Sequence, residues 1–302
     1  MIKYGGEIMV VRTDLALELQ EDMDREYGLE GIRMKTRIDT ENHIKETRIM
    51  IENEKGSKQL GKPIGTYITL ECSDMQENDK GYHEEMSEAL AEQLQLLMPN
   101  KKKILVAGLG NRNVTPDALG PYAIDHLFIT SHLMKHGYYE NTRDVRGVVP
   151  GVMAQTGMET SEILRGIIKE TEPEVLIAID ALSARSSNRL NSTIQICDTG
   201  IQPGSGIGNH REGMNEKTMG IPVIAIGVPT VIGVSTIIYD ALEPFVKQET
   251  ISEKERYHFA YEMVNTPFAK MFVTPKNIDE AVKRISFTIS EGLNQWIVRN
   301  EE

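Results

Sequence analysis

The chain has 302 residues, of which 40% are hydrophobic and 26% charged, a composition typical of a globular protein with one large domain. Its formal net charge of −12 disfavours a protein that binds nucleic acid directly, because that requires a basic surface, and suits a basic protein partner better. Cys72 and Cys197 lie far apart, which indicates neither a disulfide framework nor a zinc site. No apolar run approaches the ~20 residues of a membrane span, so we expect a cytoplasmic protein without membrane contact.

The N-terminal part of the chain is charge-rich and weakly patterned, which predicts a peripheral segment and sheet around a later core. Alternating apolar residues predict a strand at 66–71, and apolar residues three to four apart predict a helix at 83–98. The centre then alternates between two kinds of segment. Short apolar runs lie at 103–108, 175–180, 193–197 and 222–227, with helix-like segments at 121–136 and 159–170.

This alternation predicts an α/β fold, an open, largely parallel twisted sheet with helices on both faces. Residues 240–266 are polar and are predicted to form a surface excursion. An apolar stripe at helical spacing predicts a packing helix at 278–296.

Two aspartates follow apolar runs of the predicted sheet: Asp117, after the loop that begins at Gly108, and Asp180, directly after the run 175–179. In open α/β sheets, catalytic groups gather at the carboxyl ends of the strands. Two close carboxylates share one proton, which leaves one acid and one base to activate water against an amide. Capping roles remain open for both: Asp117 would begin a helix capped by Thr115, and Asp180 would cap a turn.

Two glycine-rich loops are the next candidates. The loop 108–113 resembles the start of a phosphate-binding turn but lacks the third glycine of the dinucleotide fingerprint. A non-enzymatic nucleotide-binding or small-ligand module therefore remains an alternative. The loop 200–209 suits backbone contact with a substrate, although Ser205 lacks the surroundings of a hydrolase nucleophile. The predicted substrate-binding residues are Gly110, Asn111, Gly204, Ser205 and Gly206. His132 and His136 lack the glutamate of a zinc motif, and neither a metal site nor a cofactor is predicted.

Several motifs together resemble a known family. They are Gly-Leu-Gly-Asn with Asn-Val-Thr-Pro-Asp-Ala-Leu-Gly-Pro in 108–121, Val-Pro-Gly-Val-Met at 149–153, Ala-Ile-Asp-Ala-Leu-Ser-Ala-Arg-Ser at 178–186 and Pro-Gly-Ser-Gly-Ile-Gly-Asn at 203–209. With Arg-Thr-Asp-Leu-Ala at 12–16 and Val-Thr-Pro-Lys at 273–276, they resemble the germination protease of spore-forming bacteria over nearly the whole chain.

The resemblance implies a fold similar to that of hydrogenase maturation proteases and an endopeptidase that degrades small acid-soluble spore proteins. It also implies a catalytic aspartate pair, which the motifs place at Asp117 and Asp180, as well as a homotetramer and a location in the cytoplasm of the forespore and the spore core. The hydrogenase maturation relatives bind a metal through two acids and a histidine. A metal-dependent peptidase of that type is therefore a further alternative, although His210 matches no expected position.

The family is also made as a zymogen that removes its own N-terminal segment. Residues 13–18, Thr-Asp-Leu-Ala-Leu-Glu, resemble the sequence at which its substrates are cut. We therefore expect self-cleavage between Asp14 and Leu15, with 1–14 as a propeptide and 15–302 as a single protease domain; an ordinary edge segment is the alternative. The region after Val234 is shorter than the resemblance leads us to expect, so zymogen control or assembly is expected to differ.

Overall fold

The computed structural model describes residues 13–24, 30–76, 81–139, 141–202, 212–242 and 271–299, the strand residues 2–4 and 7–9, and scattered residues between 244 and 266. The strands are β1 (Ile2–Tyr4), β2 (Glu7–Met9), β3 (Ile32–Asp39), β4 (Ile44–Ile51), β5 (Gly65–Glu71), β6 (Lys103–Gly108), β7 (Asp144–Val148), β8 (Val175–Ala184), β9 (Thr193–Cys197), β10 (Val223–Gly233) and β11 (Phe272–Val273).

The helices flank these strands. They are α1 (Ala16–Asp24), α2 (Glu54–Leu60), α3 (Tyr82–Leu97), α4 (Leu119–Asp125), α5 (Ser131–Met134), α6 (Met153–Thr156), α7 (Thr160–Thr171), α8 (Glu216–Met219), α9 (Val234–Ala241) and α10 (Ile278–Val298). Short 3-10 turns lie at Ser73–Gln76, Thr115–Asp117 and Ser187–Arg189. None of the helices in the described part of the chain has the length and apolarity that a membrane span requires.

The central sheet has the strand order β3-β4-β5-β9-β10-β8-β6-β7, and β11 pairs with β10. The predicted α/β class is confirmed, with parallel pairing confined to the four strands β10, β8, β6 and β7. The other half, β3, β4, β5 and β9, pairs antiparallel. Short connections such as the one from β8 to β9 reverse the chain, whereas a parallel pair needs a longer crossover.

The two faces of the sheet bury different sets of residues. Ile177 and Ile179 of β8 share one core with apolar residues of α3, α4 and α10. Leu176 and Ala178 point to the opposite face, toward apolar residues of α7 and α8. Because side chains alternate along a strand, Asp180 lies on the same face as Ala178. Helices therefore cover both faces, as predicted.

Two of the predicted helices have different outcomes. The helix predicted at 278–296 is confirmed as α10, and its Trp296 is fully buried. The prediction of a continuous helix at 121–136 is wrong, because the helix is interrupted between Asp125, where α4 ends, and Ser131, where α5 begins. Asn294 of α10 accepts a hydrogen bond from Phe128 N at 2.7 Å and donates to His126 O at 3.0 Å. These tertiary bonds satisfy backbone groups that a continuous helix would pair internally. The predicted polar surface excursion at 240–266 is only partly described, and its described residues from 244 onward are mostly exposed.

Candidate active site

The loop that leaves β6 folds back on itself and fixes the carboxylate of Asp117. The backbone N–H of Asn111 donates to Asp117 Oδ2 at 2.7 Å. Gly110 has a φ of 107°, and a Cβ at this position would lie 2.0 Å from the backbone oxygen of Asp117. Glycine meets both requirements, a positive φ and a close backbone approach. Gly110 and Asn111, predicted to contact substrate, position Asp117 through these contacts.

Asp117 ends the 3-10 turn Thr115–Asp117, which has Pro116 near its start. The predicted cap at Thr115 is wrong: Val114 precedes the turn, and within the described residues no side chain caps it. The turn is held from the sheet instead, because the Thr230 hydroxyl on β10 donates to Pro116 O at 2.7 Å. The Thr230 hydroxyl and the Asn111 amide therefore hold the turn and the Asp117 carboxylate near the carboxyl end of the parallel strands.

Asp180 lies inside β8 rather than at its end, so the prediction that it follows the strand is wrong. The strand continues to Ala184 because β10 pairs with it along this whole stretch. On the other side, β6 stops at Gly108, opposite Ile179. Asp180 is thus the first residue of β8 beyond the end of its neighbour, and it is buried with 5% exposure. Its Oδ1 accepts from Ala181 N at 3.0 Å.

The loops carrying the two aspartates meet at the end of β6. Leu109 N donates to Ile179 O at 2.8 Å, one residue before Asp180. Gly120, three residues after Asp117, approaches the same backbone: a Cβ there would lie 2.4 Å from Leu109 O and 2.5 Å from Ile179 O. Both aspartates therefore belong to segments that meet at the carboxyl end of β6.

Asp180, Gly227 and Gln195 lie side by side on the neighbouring strands β8, β10 and β9 and form one rung of the sheet. Gly227 of β10 pairs with Asp180 on one side and with Gln195 of β9 on the other. Paired residues present their side chains to the same face, and Asp180 and Gln195 are about 10 Å apart at their Cα atoms because two strand spacings separate them. Gly227 has no side chain, and Leu182 packs over it instead. Asp180 and Gln195 therefore flank the Gly227 region of this face.

Residues 13–18 dock along this region. Asp14 N donates to Ser183 O at 3.1 Å, and Ser183 N donates to Asp14 Oδ2 at 2.9 Å. Leu15 is fully buried. Ser183 lies three residues beyond Asp180 on β8, about 10 Å along the strand. Gln195, whose side chain is on the same face as that of Asp180, donates to Asp14 O at 3.2 Å, so the carbonyl group of the Asp14–Leu15 peptide bond lies on that face.

The backbone on either side of Leu15 is bound by side chains. The carbonyl oxygen of Asp14 accepts from Lys62 Nζ at 3.0 Å and from Gln195 Nε2 at 3.2 Å. Ala16 N donates to Gln195 Oε1 at 2.7 Å. The Gln195 side chain therefore forms hydrogen bonds with the backbone before and after Leu15, as a neighbouring strand would.

Glu18, four residues after Asp14, lies in a pocket of hydrogen-bond donors that bind its carboxylate. Its oxygens accept from Arg185 N at 2.7 Å and Ser186 N at 2.8 Å. The Thr13 hydroxyl also donates to Glu18, and the Arg189 guanidinium lies 3.6 Å away. Glu18 is fully buried, so these donors replace the water that it loses on docking.

The electrostatics of this pocket are coupled. Burial raises the pKa of the Glu18 carboxyl, although Thr13, the two backbone amides and Arg189 act in the opposite direction. Burial alone would lower the pKa of Arg189, but the carboxylates of Glu21, Glu71 and Glu18 outweigh it and raise that pKa. A guanidinium with three carboxylates around it stays charged, so Arg189 is a permanent cation at the base of the docked segment.

Thr13 links the two ends of the docked segment, which gives a testable prediction. Its hydroxyl accepts from Leu15 N at 3.0 Å and donates to Glu18. We expect Thr13→Ala to weaken docking by about 1 kcal/mol, the usual effect of a lost cap. This corresponds to a roughly fivefold loss of hydrogen-exchange protection at the Arg185 amide. Thr13→Ser keeps the hydroxyl and serves as the control; unchanged protection in Thr13→Ala would contradict this role.

The phosphate-binding alternative for loop 108–113 requires backbone N–H groups that point at a ligand. In this loop they donate within the protein. Leu109 N binds Ile179 O, Asn111 N binds the Asp117 carboxylate and Asn113 N binds Asn111 Oδ1 at 3.0 Å. The position that an anion would take is filled by Asp117, so the geometry favours a carboxylate site over a nucleotide site.

The second glycine loop and the metal alternative have less structural support. Gly204, Ser205, Gly206 and His210 lie outside the described residues, so their predicted contact with substrate stays a prediction. Gly200, at the base of this loop, has a φ of 80°. Among the residues that the structure describes, no three histidine, cysteine or acidic side chains are grouped closely enough to hold a metal ion.

Sequence patterns missed three contacts of the docked segment: Lys62, Gln195 and the Ser183 backbone. Gln195 left a signal, because a glutamine between Ile194 and Ile196 of a buried strand needs a hydrogen-bond partner. Lys62 left none, since a lysine after a short helix is ordinarily solvated. Its contact exists only because the chain brings residue 14 next to residue 62.

The chain is similar to known proteins over nearly its whole length. The family model for germination protease matches residues 10–256. The chain is 40% identical to the germination protease of Caldanaerobacter subterraneus subsp. tengcongensis, over 95% of this chain and 94% of the relative. It is 39% identical to that of Clostridium tetani, over 95% of each chain.

A more distant relative differs from this chain in length. The germination protease of Bacillus mycoides is 35% identical over 94% of this chain and 92% of the relative. That alignment spans 342 positions, more than the 302 residues of this chain, so the relative has insertions that this chain lacks. Among solved structures, the NiFe hydrogenase maturation protease HycI from Thermococcus kodakarensis is similar with a TM-score of 0.37 and 17% identity, covering 67% of this chain and 98% of that one.

Proposed function

Since this chain belongs to the germination protease family, and is therefore a peptidase, we propose that it degrades small acid-soluble spore proteins during germination. We further propose that Asp117 and Asp180 activate the water that attacks the peptide bond. The observation that carries this proposal is the docking of Asp14 and Leu15 on the face of the sheet that contains Asp180. A peptide bond of the kind that the enzyme would cut thus lies on the same face of the sheet as one of the proposed catalytic carboxylates.

The proposed chemistry uses the two carboxyl groups in different protonation states. One carboxylate takes a proton from water as its oxygen attacks the carbonyl carbon of the substrate. The other, still protonated, donates a proton to the amide nitrogen as the carbon–nitrogen bond breaks. Two carboxyl groups at one site share a single proton because close like charges cannot both ionise cheaply. Asp180 is buried, whereas Asp117 accepts a hydrogen bond from the backbone N–H of Asn111. These different environments support different protonation states for the two carboxyl groups.

The same site would process the chain itself. In this proposal residues 1–14 form a propeptide, and hydrolysis between Asp14 and Leu15 leaves Leu15 as the new N-terminus of the protease domain. The docked segment supports this because Asp14 binds Ser183 of β8, Leu15 is buried and Glu18 binds the backbone amides of Arg185 and Ser186 after that strand. A segment docked here also occupies the face that a protein substrate would need, which accounts for an inactive precursor.

The remaining assignments follow from the family. We propose a homotetramer in the cytoplasm of the forespore and the spore core, where the substrates are bound to DNA. The net charge of −12 supports contact with the proteins rather than with the nucleic acid. No cofactor enters the proposed reaction.

Two measurements on the full chain test the proposal. N-terminal sequencing during incubation should show a new terminus at Leu15 as activity rises; fully active enzyme with its original N-terminus would rule out self-processing. Mass spectrometry of a small acid-soluble spore protein after digestion should show cleavage after acidic residues that precede an apolar one. A substrate left intact by processed enzyme would rule out the proposed substrate class.

A further inference from the structure

The carbonyl oxygen of Asp14 is bound by two side-chain donors from different parts of the chain. Lys62 follows helix α2 and reaches this oxygen at 3.0 Å, and Gln195 on β9 reaches it at 3.2 Å. In the proposed self-cleavage this oxygen belongs to the bond that is cut, and it becomes an oxyanion when water adds to the carbonyl carbon. Donors held at such a position stabilise the charge that develops in the transition state.

The orientation of Gln195 is set by its other contact. Its Oε1 accepts from Ala16 N at 2.7 Å, so its NH₂ group must face the Asp14 carbonyl. Gln195 is buried with 7% exposure and lies on the rung that it shares with Gly227 and Asp180. The amide donor is therefore preorganised on the same face as a proposed catalytic carboxylate.

Docking of the segment has its own contacts, separate from Lys62. Asp14 pairs with Ser183, and Glu18 binds the backbone amides of Arg185 and Ser186. A lysine is not needed to hold a segment that is already bound at both ends. What Lys62 adds is a positive charge at the one oxygen atom on which negative charge would develop.

We propose that Lys62 and Gln195 form the oxyanion-binding site for cleavage of the bond between Asp14 and Leu15. This inference rests on the proposed self-processing. It adds two catalytic residues that supply electrostatic stabilisation, while the aspartates move the protons. Lys62 contributes a charged donor and Gln195 a neutral, fixed one. Water adds to the Asp14 carbonyl carbon, the oxygen becomes negative between the two donors, and the charge returns to a carbonyl when the Leu15 nitrogen leaves with its proton.

The test compares full-chain variants by the rate at which the Leu15 terminus appears. We expect Lys62→Met to slow processing about 10²-fold, the loss that follows removal of one oxyanion donor. Lys62→Arg keeps the positive charge and should recover most of the rate. Lys58→Met removes an exposed lysine from helix α2, just before Lys62, and should process like the unaltered chain. Hydrogen-exchange protection of the Arg185 and Ser186 amides reports docking and should be the same in all four proteins.

The outcomes separate this inference from the proposal on which it rests. If the unaltered chain never gains the Leu15 terminus, self-processing fails, and the inference fails with it. If the unaltered chain is processed and Lys62→Met is processed within roughly threefold of its rate, far from the loss expected of an oxyanion donor, the inference alone is overturned. It is also overturned if Lys62→Met loses Arg185 and Ser186 protection in proportion to its rate, because Lys62 would then only anchor the segment.

Discussion

Asp180→Asn should lower the rate of peptide-bond cleavage by about 10³-fold, the middle of the range for loss of a general acid or base. Asparagine has nearly the same shape and keeps an oxygen that can accept from Ala181 N, so the fold should be retained. It cannot accept or donate the proton that the mechanism requires. Asp117→Asn should have an effect of similar size, since its amide oxygen can still accept from Asn111 N. Cleavage of a small acid-soluble spore protein gives the rate, and thermal unfolding checks the fold.

Asp125→Asn is the matched control for these variants. Asp125 ends helix α4 and forms an exposed ion pair with Arg112 at 2.5 Å, and its pKa is lowered by the hydrogen bond from that arginine. Exposed pairs of this kind contribute little to stability, so activity should stay close to that of the unaltered enzyme. If Asp180→Asn or Asp117→Asn retains near-normal turnover with its fold intact, the shared-proton mechanism is wrong.

Gly120→Ala should destabilise the fold by about 3 kcal/mol, the upper end of the usual range for overpacking. The added Cβ would lie 2.4 Å from Leu109 O and 2.5 Å from Ile179 O. Both neighbours are backbone atoms, which cannot rotate away as a flexible side chain can. Relief of the clash must separate the loop after β6 from β8, next to Asp180. We therefore expect a lower midpoint of denaturant unfolding and a loss of activity in the fraction that stays folded.

Gly166→Ala is the control for this prediction. Gly166 lies inside helix α7, and a Cβ added there would meet no atom within 4 Å. Alanine in a helix interior should stabilise the protein by about 0.5–1 kcal/mol relative to glycine. Opposite shifts of the unfolding midpoint in the two variants would support the contact at Gly120. Equal shifts would show that the close backbone approach at Gly120 does not constrain the fold.

Local pattern was sufficient for the elements that bury one clear face. Helix α10 and strand β6 lie where periodicity predicted them, because apolar spacing identifies the buried side whatever it packs against. The ends of β8 and β10 were predicted too early for a tertiary reason. Beyond Asp180 and Gly227 the two strands still pair with each other, although their sequences no longer form continuous apolar runs. Backbone hydrogen bonds to a distant partner leave no mark in local composition.

The sequence by itself determined the α/β class and the family, and it singled out Asp117 and Asp180 for the proposed pair, because apolar runs and motif residues are local features. Only the tertiary structure decided what surrounds those residues. Asp180 is an internal strand residue because β10 extends past the end of β6 and pairs with β8 there. Gln195 lies on the same rung because β9 pairs antiparallel with β10 at Gly227. The contact of Lys62 with Asp14 spans 48 positions. Contacts between residues so far apart depend on how the whole chain folds, and no window of sequence contains both partners.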